Sequence, residues 1–477
     1  MPGRVAIIGV DCLAPQLALD RYRDAMPVLN GLAALGWGGR LRSSDPPITV
    51  PAWTCMATSQ DPGQLGIYGF RNRVDHGYAE MAVADAAWVR APTLWQLLSR
   101  RRRRSVVLGV PLTHPVRPLV GELVAGIPVP AASDALTWPA TLRAELDAWS
   151  RPPPYRVDVE GFRTRDADAL LRDLQRLRDD RFRIARELAR RSAWDLLFMV
   201  DMSVDRLHHV FWAHAHPDHP LHDPGSRRHG VLRDFYADLD RQIGLLVDEL
   251  GPDTAVLVVS DHGARSMRGA LRLNEWLIAR GYLTLRQRPD QTRRLQPGDI
   301  DFPRTLAWAD GGYYARVFFN LRGREPQGAA DGAAALRDEL RREIESMPGP
   351  DGAPLRNRVL VPEEIYRRCE NVPPDLLVYP ADLDFRASAM VLGAAEIDAA
   401  SSPLFGIEND LGVDGANHDP WGVLVYRPAS GGGGAAVAPP AAGDGASIYD
   451  VAPTVLRLLG EPVPAHMIGT PLPWAAA

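Results

Sequence analysis

The chain of 477 residues contains no lysine; all 54 of its basic residues are arginine. That absence removes two chemistries. No lysine Schiff base can form, and no Walker-type phosphate loop can be built, because that loop needs its Lys. Arginine remains well suited to holding phosphate through its planar fork of donors. Cysteine is scarce as well. Cys12, Cys55 and Cys369 are too few and too far apart for a disulfide framework or a zinc knuckle, and their odd number suits a reducing compartment. No apolar stretch approaches the ~20 residues that span a bilayer. The apolar run at residues 5–10 is too short for a signal-peptide core, so the sequence predicts a cytoplasmic protein without membrane contact. A formal net charge of -5 gives no electrostatic case for binding a nucleic acid polymer. The composition is globular, and the length fits one large domain with insertions or two to three domains.

What is present is a series of short apolar runs that stop at a carboxylate. Val5–Val10 ends at Asp11, Leu196–Val200 at Asp201, and Ala255–Val259 runs through Ser260 into Asp261-His262-Gly263. Such runs read as strands buried on both faces, as in parallel sheets. Open α/β sheets place ligands beyond the carboxyl ends of their strands. Adjacent side chains on a strand point opposite ways. If Asp261 and His262 share a ligand, the chain must turn there, and Gly263 permits the turn. An Asp that simply caps a turn explains the same residues.

Pro46-Pro47 imposes an extended entry to a helix, with Pro51 in its first turn and Thr49 near the cap. Thr49 therefore lies where the helix dipole and free N–H groups favour an anion; it also fits an ordinary Thr cap. Asp205 and His209 are spaced i, i+4. A helix sets them on one face, where they can reach one metal or form a surface ion pair. His214, His216, His219, His222 and His229 read as a largely solvated loop. Helices are predicted over 27–36, 166–192 and 451–459, the second a long amphipathic surface helix. Residues 61–73 are turn-rich and aromatic, a pocket rim. Composition changes over 265–410, which predicts an inserted lid domain, with the sheet resuming at Gly422–Tyr426. The core is then 1–264 and 411–477. Residues 429–446 read as a mobile low-complexity loop.

Asp11, Thr49, Asp205-x3-His209, Asp261-His262 and His418 come in this order. Together they resemble the alkaline phosphatase superfamily, and within it a bacterial subgroup of the type I phosphodiesterase/nucleotide pyrophosphatase family. The resemblance spans residues 4–73, 194–264 and 412–472. It implies an α/β fold: a three-layer αβα sandwich around a large, mostly parallel sheet, with an inserted α+β lid. It also implies two divalent metal ions, zinc with manganese tolerated. Carried over residue by residue, Asp205, His209 and His418 hold one ion. Asp11, Asp261 and His262 hold the other, together with Thr49 as nucleophile. Thr49 is preferred to Thr54 because the family's nucleophilic Thr directly precedes an x-Pro pair, which Val50-Pro51 supplies. Oxygen and imidazole ligands without thiolate suit catalytic zinc.

The implied activity is hydrolysis of phosphodiester or pyrophosphate bonds in a small, nucleotide-like phosphate ester. One position departs from the family. Its pocket rim carries an Asn shortly after Gly-Ile, which helps hold a non-bridging phosphate oxygen; here the register gives Phe70, and Asn72, two residues on, is the substitute for substrate binding. A phosphomonoesterase acting on a small phosphorylated metabolite uses the same residues and is the alternative. A non-catalytic metal- or phosphate-binding protein is a third reading, disfavoured because no position of the set is lost. The sequence leaves open the oligomeric state, and which of Arg73, Arg265, Arg316, Arg322 or Arg324 faces the site.

Overall fold

Strand β1 (Arg4–Val10) shows why a layered sheet forms. Val5 and Ile7 join one buried cluster, while Ala6, Ile8 and Val10 join another. Successive side chains of a strand face opposite ways, so a strand apolar at every position needs cover on both sides. In the computed structural model, which describes residues 3–79, 81–130, 133–191, 193–399, 403–407, 412–430 and 445–475, helices supply that cover. One face carries α1 (Pro27–Leu35), α3 (Ala167–Arg191), α4 (Ser203–Ala215) and α5 (Val231–Leu250); the other carries α2 (Thr49–Thr58) and α6 (Val451–Leu458). The fold is α/β with a large, mostly parallel central sheet.

That sheet has nine strands. Besides β1 they are β2 (Trp37–Arg42), β3 (Ser105–Leu108), β4 (Gly121–Val124), β5 (Thr137–Trp138), β6 (Leu196–Asp201), β7 (Thr254–Val259), β8 (Trp421–Arg427) and β9 (Ala446–Ser447), in the order β9-β2-β8-β7-β1-β6-β3-β4-β5. Strands β7, β1, β6, β3 and β4 run parallel, and β8 runs antiparallel between β7 and β2. The register pairs Gly9 with Val259 and Val10 with Asp201, so the carboxyl ends of β7, β1 and β6 finish together. Asp11 N–H extends the ladder by donating to the Asp201 carbonyl at 2.9 Å.

Beyond β7 the chain runs through Gly263–Ser266, which pairs antiparallel with Ala416–Asp419, Ala264 opposite His418. Between these two segments lies a separate four-stranded antiparallel sheet, in the order Ala307–Asp310, Ala315–Phe319, Leu376–Tyr379, Arg358–Leu360. Together with helix Ala333–Glu345 it closes its own core around Val317, Phe319, Leu340 and Leu376. It meets the rest of the protein where Ile48 and Tyr68 pack against Tyr314, Tyr366 and Leu377.

Helix α3 is the long amphipathic helix expected; Arg178 and Arg181 on it are also buried, and Arg181 donates to the Tyr155 hydroxyl and the Val157 carbonyl. One expectation needs correction. The histidine run is not a largely solvated loop. His219 is buried against the Gly415 carbonyl, His216 stacks on Trp212 at 4.1 Å, and His214 and His222 are half-buried with hydrogen-bond partners; His229 is exposed. Uncharged imidazoles pack as well as other flat rings once each ring nitrogen has a partner. Most of the segment expected to be a mobile loop, 431–444, lies outside the described residues. Among the described residues no helix is long and apolar enough to cross a membrane.

Candidate active site

The site grows from two strand ends, two helices and one short strand. Asp11 follows β1, and Asp261 and His262 follow β7. Cys12, next to Asp11, has φ of 62°, a left-handed conformation that few residues other than Gly adopt. This turn directs the Cys12 N–H to Asp261 Oδ1 at 3.2 Å, tying the two strand ends together. Helix α2 begins after an extended Ile48, so Thr49 is its first residue, in the turn whose N–H groups lack helical acceptors. Thr49 and Trp53 are spaced i, i+4 and share a face. Trp53 Nε1 donates to Asp11 Oδ2 at 2.6 Å, while Thr49 Oγ1 lies 3.3 Å from His262 Nε2. Gly9 makes room for this: a Cβ there would sit 2.6 Å from the Trp53 ring.

Helix α4 brings Asp205 and His209 in on one face, and the Ala416–Asp419 strand brings His418. All three are buried, as are Asp11, Thr49, Asp261 and His262. The imidazoles share one arrangement. His262 Nδ1 is held by the Gly263 carbonyl, His418 Nδ1 by the Pro47 carbonyl at 2.8 Å, and His209 Nδ1 by Asp414 Oδ1 at 2.8 Å. Each Nδ1 faces an oxygen acceptor, so each Nε2 points inward. Histidines that ligate metals are oriented in this way.

The electrostatics fit cations. Burial, reinforced by Asp205, pushes the Asp11 carboxyl well above its usual range; burial and Asp11 do the same to Asp261. Burial also disfavours charge on Asp205, but His209 and Arg206 outweigh it and hold this carboxyl low. Burial pulls His262 and His418 down, whereas for His209 the nearby Asp414 and Asp205 overcome burial and lift it to about 9. Four buried atoms here, Asp11 Oδ1, Asp205 Oδ1, Asp261 Oδ2 and His418 Nε2, have no hydrogen-bond partner. Buried polar atoms normally have one. Their donor chemistry, carboxylate oxygen and neutral imidazole nitrogen, suits a divalent metal ion. Asp11, Asp261 and His262 bring ligand atoms within 4.8 Å of one another, and so do Asp205, His262 and His418.

Each residue of the expected set is thus in one cluster, with one difference in grouping. The first set was expected to be Asp205, His209 and His418. Here His262 stacks on His418 at 3.8 Å and joins Asp205 in place of His209, whose Nε2 is 3.4 Å from Asp205 Oδ1 and 2.9 Å from the Tyr313 hydroxyl. Asn72 differs more. Its amide oxygen accepts from Tyr68 N–H at 2.8 Å and its amide nitrogen donates to the Gly69 carbonyl at 3.0 Å, so it staples its own loop instead of presenting an amide to a ligand. The five arginines considered are engaged elsewhere: Arg73 with Glu325, Arg265 with Asp384, Arg316 with Asp310, Arg322 with Asp331 and Arg324 with Asp375. The arginines beside the cluster are Arg206, which pairs with Asp205 and Asp158, and Arg163, which pairs with Asp414. Neither these nor Tyr313, Asp414 and Trp53 stood out in the sequence. For Trp53 the i, i+4 spacing from Thr49 was the available signal.

A profile of the family described as "Type I phosphodiesterase / nucleotide pyrophosphatase" matches residues 5–394. No curated protein matches the sequence. Solved structures share the fold. The phosphonoacetate hydrolase of Sinorhizobium meliloti 1021, in complex with phosphonoformate, superposes with a TM-score of 0.55 at 16% identity, covering 96% of this chain and 95% of its own. Human ectonucleotide pyrophosphatase/phosphodiesterase 5 gives 0.54 at 12% identity, covering 98% and 97%. The murine counterpart, an inactive form in complex with AMP, gives 0.53 at 12%, covering 97% and 96%.

Proposed function

The chain belongs to the type I phosphodiesterase/nucleotide pyrophosphatase family of phosphoester hydrolases, and from that premise we propose that it cleaves phosphodiester or pyrophosphate bonds of a small, nucleotide-like ester, with Thr49 as nucleophile beside two divalent metal ions. One observation carries the reading: four buried atoms of Asp11, Asp205, Asp261 and His418 have no hydrogen-bond partner, and His262, which groups with all four residues, lies 3.3 Å from Thr49 Oγ1. Asp11, Asp261 and His262 would hold one ion, and Asp205, His209 and His418 the other, with His262 close enough to face either. Bound there, such ions favour the alkoxide of a hydroxyl and offset charge on phosphate oxygens.

The chain's own residues do the rest. Thr49 presents its oxygen from the first turn of α2, whose free N–H groups attract the phosphoryl anion. Trp53 and the Cys12 N–H each occupy one oxygen of a carboxylate, which fixes the direction of the other. Asp414, Gly263 and Pro47 fix the three rings. A second reading, hydrolysis of a monoester or a phosphonate, is favoured by Phe70 standing where the family has Asn while the Asn72 amide is engaged in its own loop.

The test is turnover of bis(4-nitrophenyl) phosphate, 4-nitrophenyl phosphate and phosphonoacetate by the zinc-loaded protein, by the chelated protein and by Thr49→Ala. We expect the diester to be preferred, and activity to vanish on chelation and in the variant. Turnover by Thr49→Ala near the wild-type rate excludes the nucleophile. A preference for the monoester or for phosphonoacetate moves the substrate class to the second reading.

A further inference from the structure

The loop after the pocket rim and the inserted segment flank a cavity that contains none of the residues discussed above as metal ligands or nucleophile. Its volume is about 320 Å³, inside the range of about 300–1,000 Å³ over which proteins hold small molecules. One wall is a hairpin, Arg71–Asn72 paired with Ala82–Val83. The other is the strand pair Ala307–Asp310 and Ala315–Phe319, with Trp308 opposite Phe318 and Asp310 opposite Arg316. Val317 and Phe319 enter the segment's own core, so the alternate position, Phe318, and its partner Trp308 face the hairpin. The Arg73 guanidinium, reaching from the hairpin, lies 5.3 Å from the Trp308 ring and 5.1 Å from the Phe318 ring.

The lining has two chemistries. Tyr78 stacks on Phe302 at 3.5 Å, and Trp308 meets these two rings edge-on at 6.0 and 5.5 Å. Phe302 and Phe318 are buried, whereas Tyr78 and Trp308 are half-buried and keep ring surface open to the cavity. Such surface favours another flat ring. The charged lining, among the described residues, is Arg71, Arg73 and Arg294 against a single carboxylate, Asp310. Asp310 is already shared by Arg294 and the buried Arg316, and Arg73 is matched by Glu325. Arg71 is exposed at this wall and forms no ion pair among the described residues. The charge left over is positive, on a side chain that binds carboxylate, sulfonate or phosphate oxygens through its fork of donors.

We propose that this cavity is a second binding site, for a small planar aromatic anion that lays its ring against Trp308 and Tyr78 and turns its charged group to Arg71. The site needs neither metal ions nor turnover, so it stands or falls apart from the Thr49 reading. Its occupant bridges two parts of the chain that Arg316 already links, by donating to the Arg71 carbonyl on the hairpin and to Asp310 on the strand pair. Binding therefore braces the hairpin against the inserted sheet.

The test is calorimetric titration of the full chain, chelated and zinc-loaded, with three probes: naphthalene-2-sulfonate, the uncharged naphthalene-2-sulfonamide, and methanesulfonate, which has the charge without the ring. We expect one equivalent of naphthalene-2-sulfonate to bind at least about tenfold more tightly than either control, with the same Kd in the chelated and zinc-loaded protein. Arg71→Glu should weaken the sulfonate at least about tenfold without weakening the sulfonamide. Trp308→Leu should weaken both aromatic probes. Arg71 is exposed, so Arg71→Glu decides the matter even where Trp308→Leu fails to fold. Absence of sulfonate binding, no preference over the two controls, binding that disappears on chelation, or binding that Arg71→Glu leaves unchanged overturns the assignment.

Discussion

Two regions of the molecule bury carboxylates and treat them in opposite ways. In the inserted segment, Glu325 is fully enclosed and both of its oxygens are taken, by Arg73, His76, Arg324 and the Leu321 N–H. Asp375 is held by Arg324 and the Phe319 N–H, Asp310 by Arg294 and Arg316, and Glu275 by Arg288 and the Leu392 N–H. At the strand ends and on α4, Asp11, Asp261 and Asp205 are as deeply buried, yet each keeps one oxygen without a hydrogen-bond partner. Leaving a buried charge unmatched is costly. Where the chain supplies every partner, the charge is a structural joint. Where partners are missing in a cluster, the donor set is free to take a partner from outside the chain, as the proposed function requires.

That contrast can be broken at either end. The largest effect should be at Thr49, the hydroxyl beside the partnerless atoms: Thr49→Ala should lower kcat at least about 10⁴-fold, some 5.5 kcal/mol of barrier, while zinc content by plasma emission stays at the wild-type level. A variant retaining a tenth of wild-type turnover would remove Thr49 from the chemistry. In the inserted segment the loss should be of stability. Glu325→Gln leaves Arg73 buried with a neutral partner and should cost about 3–5 kcal/mol in urea unfolding, with metal content unchanged. If it costs no more than a surface substitution, the joint is not a joint.

Metal removal sharpens the comparison from the other side. Zinc at about 100 times its Kd should stabilise the chelated protein by about 2.7 kcal/mol. Calorimetry should show the midpoint rising in the wild type and in Glu325→Gln, and much less in Asp205→Asn. The smallest effect is the most diagnostic. Burial raises the Asp11 carboxyl above its ordinary value of 3.8. A group with a raised pKa in the folded state weakens the fold as pH climbs through that pKa. In the chelated protein, Asp11→Asn should therefore be neutral near pH 4 and stabilising by about 1 kcal/mol at pH 8. A destabilised variant at pH 8 would mean that Asp11 Oδ1, the oxygen that Trp53 does not hold, has a partner inside the chain.

The sequence showed the strand ends clearly. An apolar run that stops at Asp11 or at Asp261 is a local pattern, and the register of β1 with β6 and β7 brings those ends together. Helices α1, α3 and α6 also lie where periodicity sets them, because each has one continuous apolar face. The residues that escaped notice come from segments without periodicity. Tyr313 sits in a glycine-rich turn, Asp414 just before a short strand, and Arg163 in a loop ahead of α3. Only the tertiary path brings them to His209. Asn72 shows the converse: its place in the sequence fitted a ligand contact, but an amide that satisfies Tyr68 N–H and the Gly69 carbonyl has its hydrogen bonds inside the loop.

The short ladder that pairs Gly263–Ser266 with Ala416–Asp419 has a consequence for how this protein could diversify. The chain departs and returns through adjacent backbone, so everything between the two segments is joined covalently to the core through a single doorway. Closing a longer or shorter excursion across a fixed doorway changes the loop entropy only slowly with its length. An excursion of different size therefore costs little in loop entropy, but it would have to replace what the present one supplies at the doorway: the Tyr313, Leu383 and Phe385 carbonyls that hold Asn417, next to His418. An engineer who grafts a foreign excursion between Ser266 and Ala416 would keep Asp11, Thr49, Asp205, His209, Asp261, His262 and His418, and would lose Tyr313, whose ring stacks on His418.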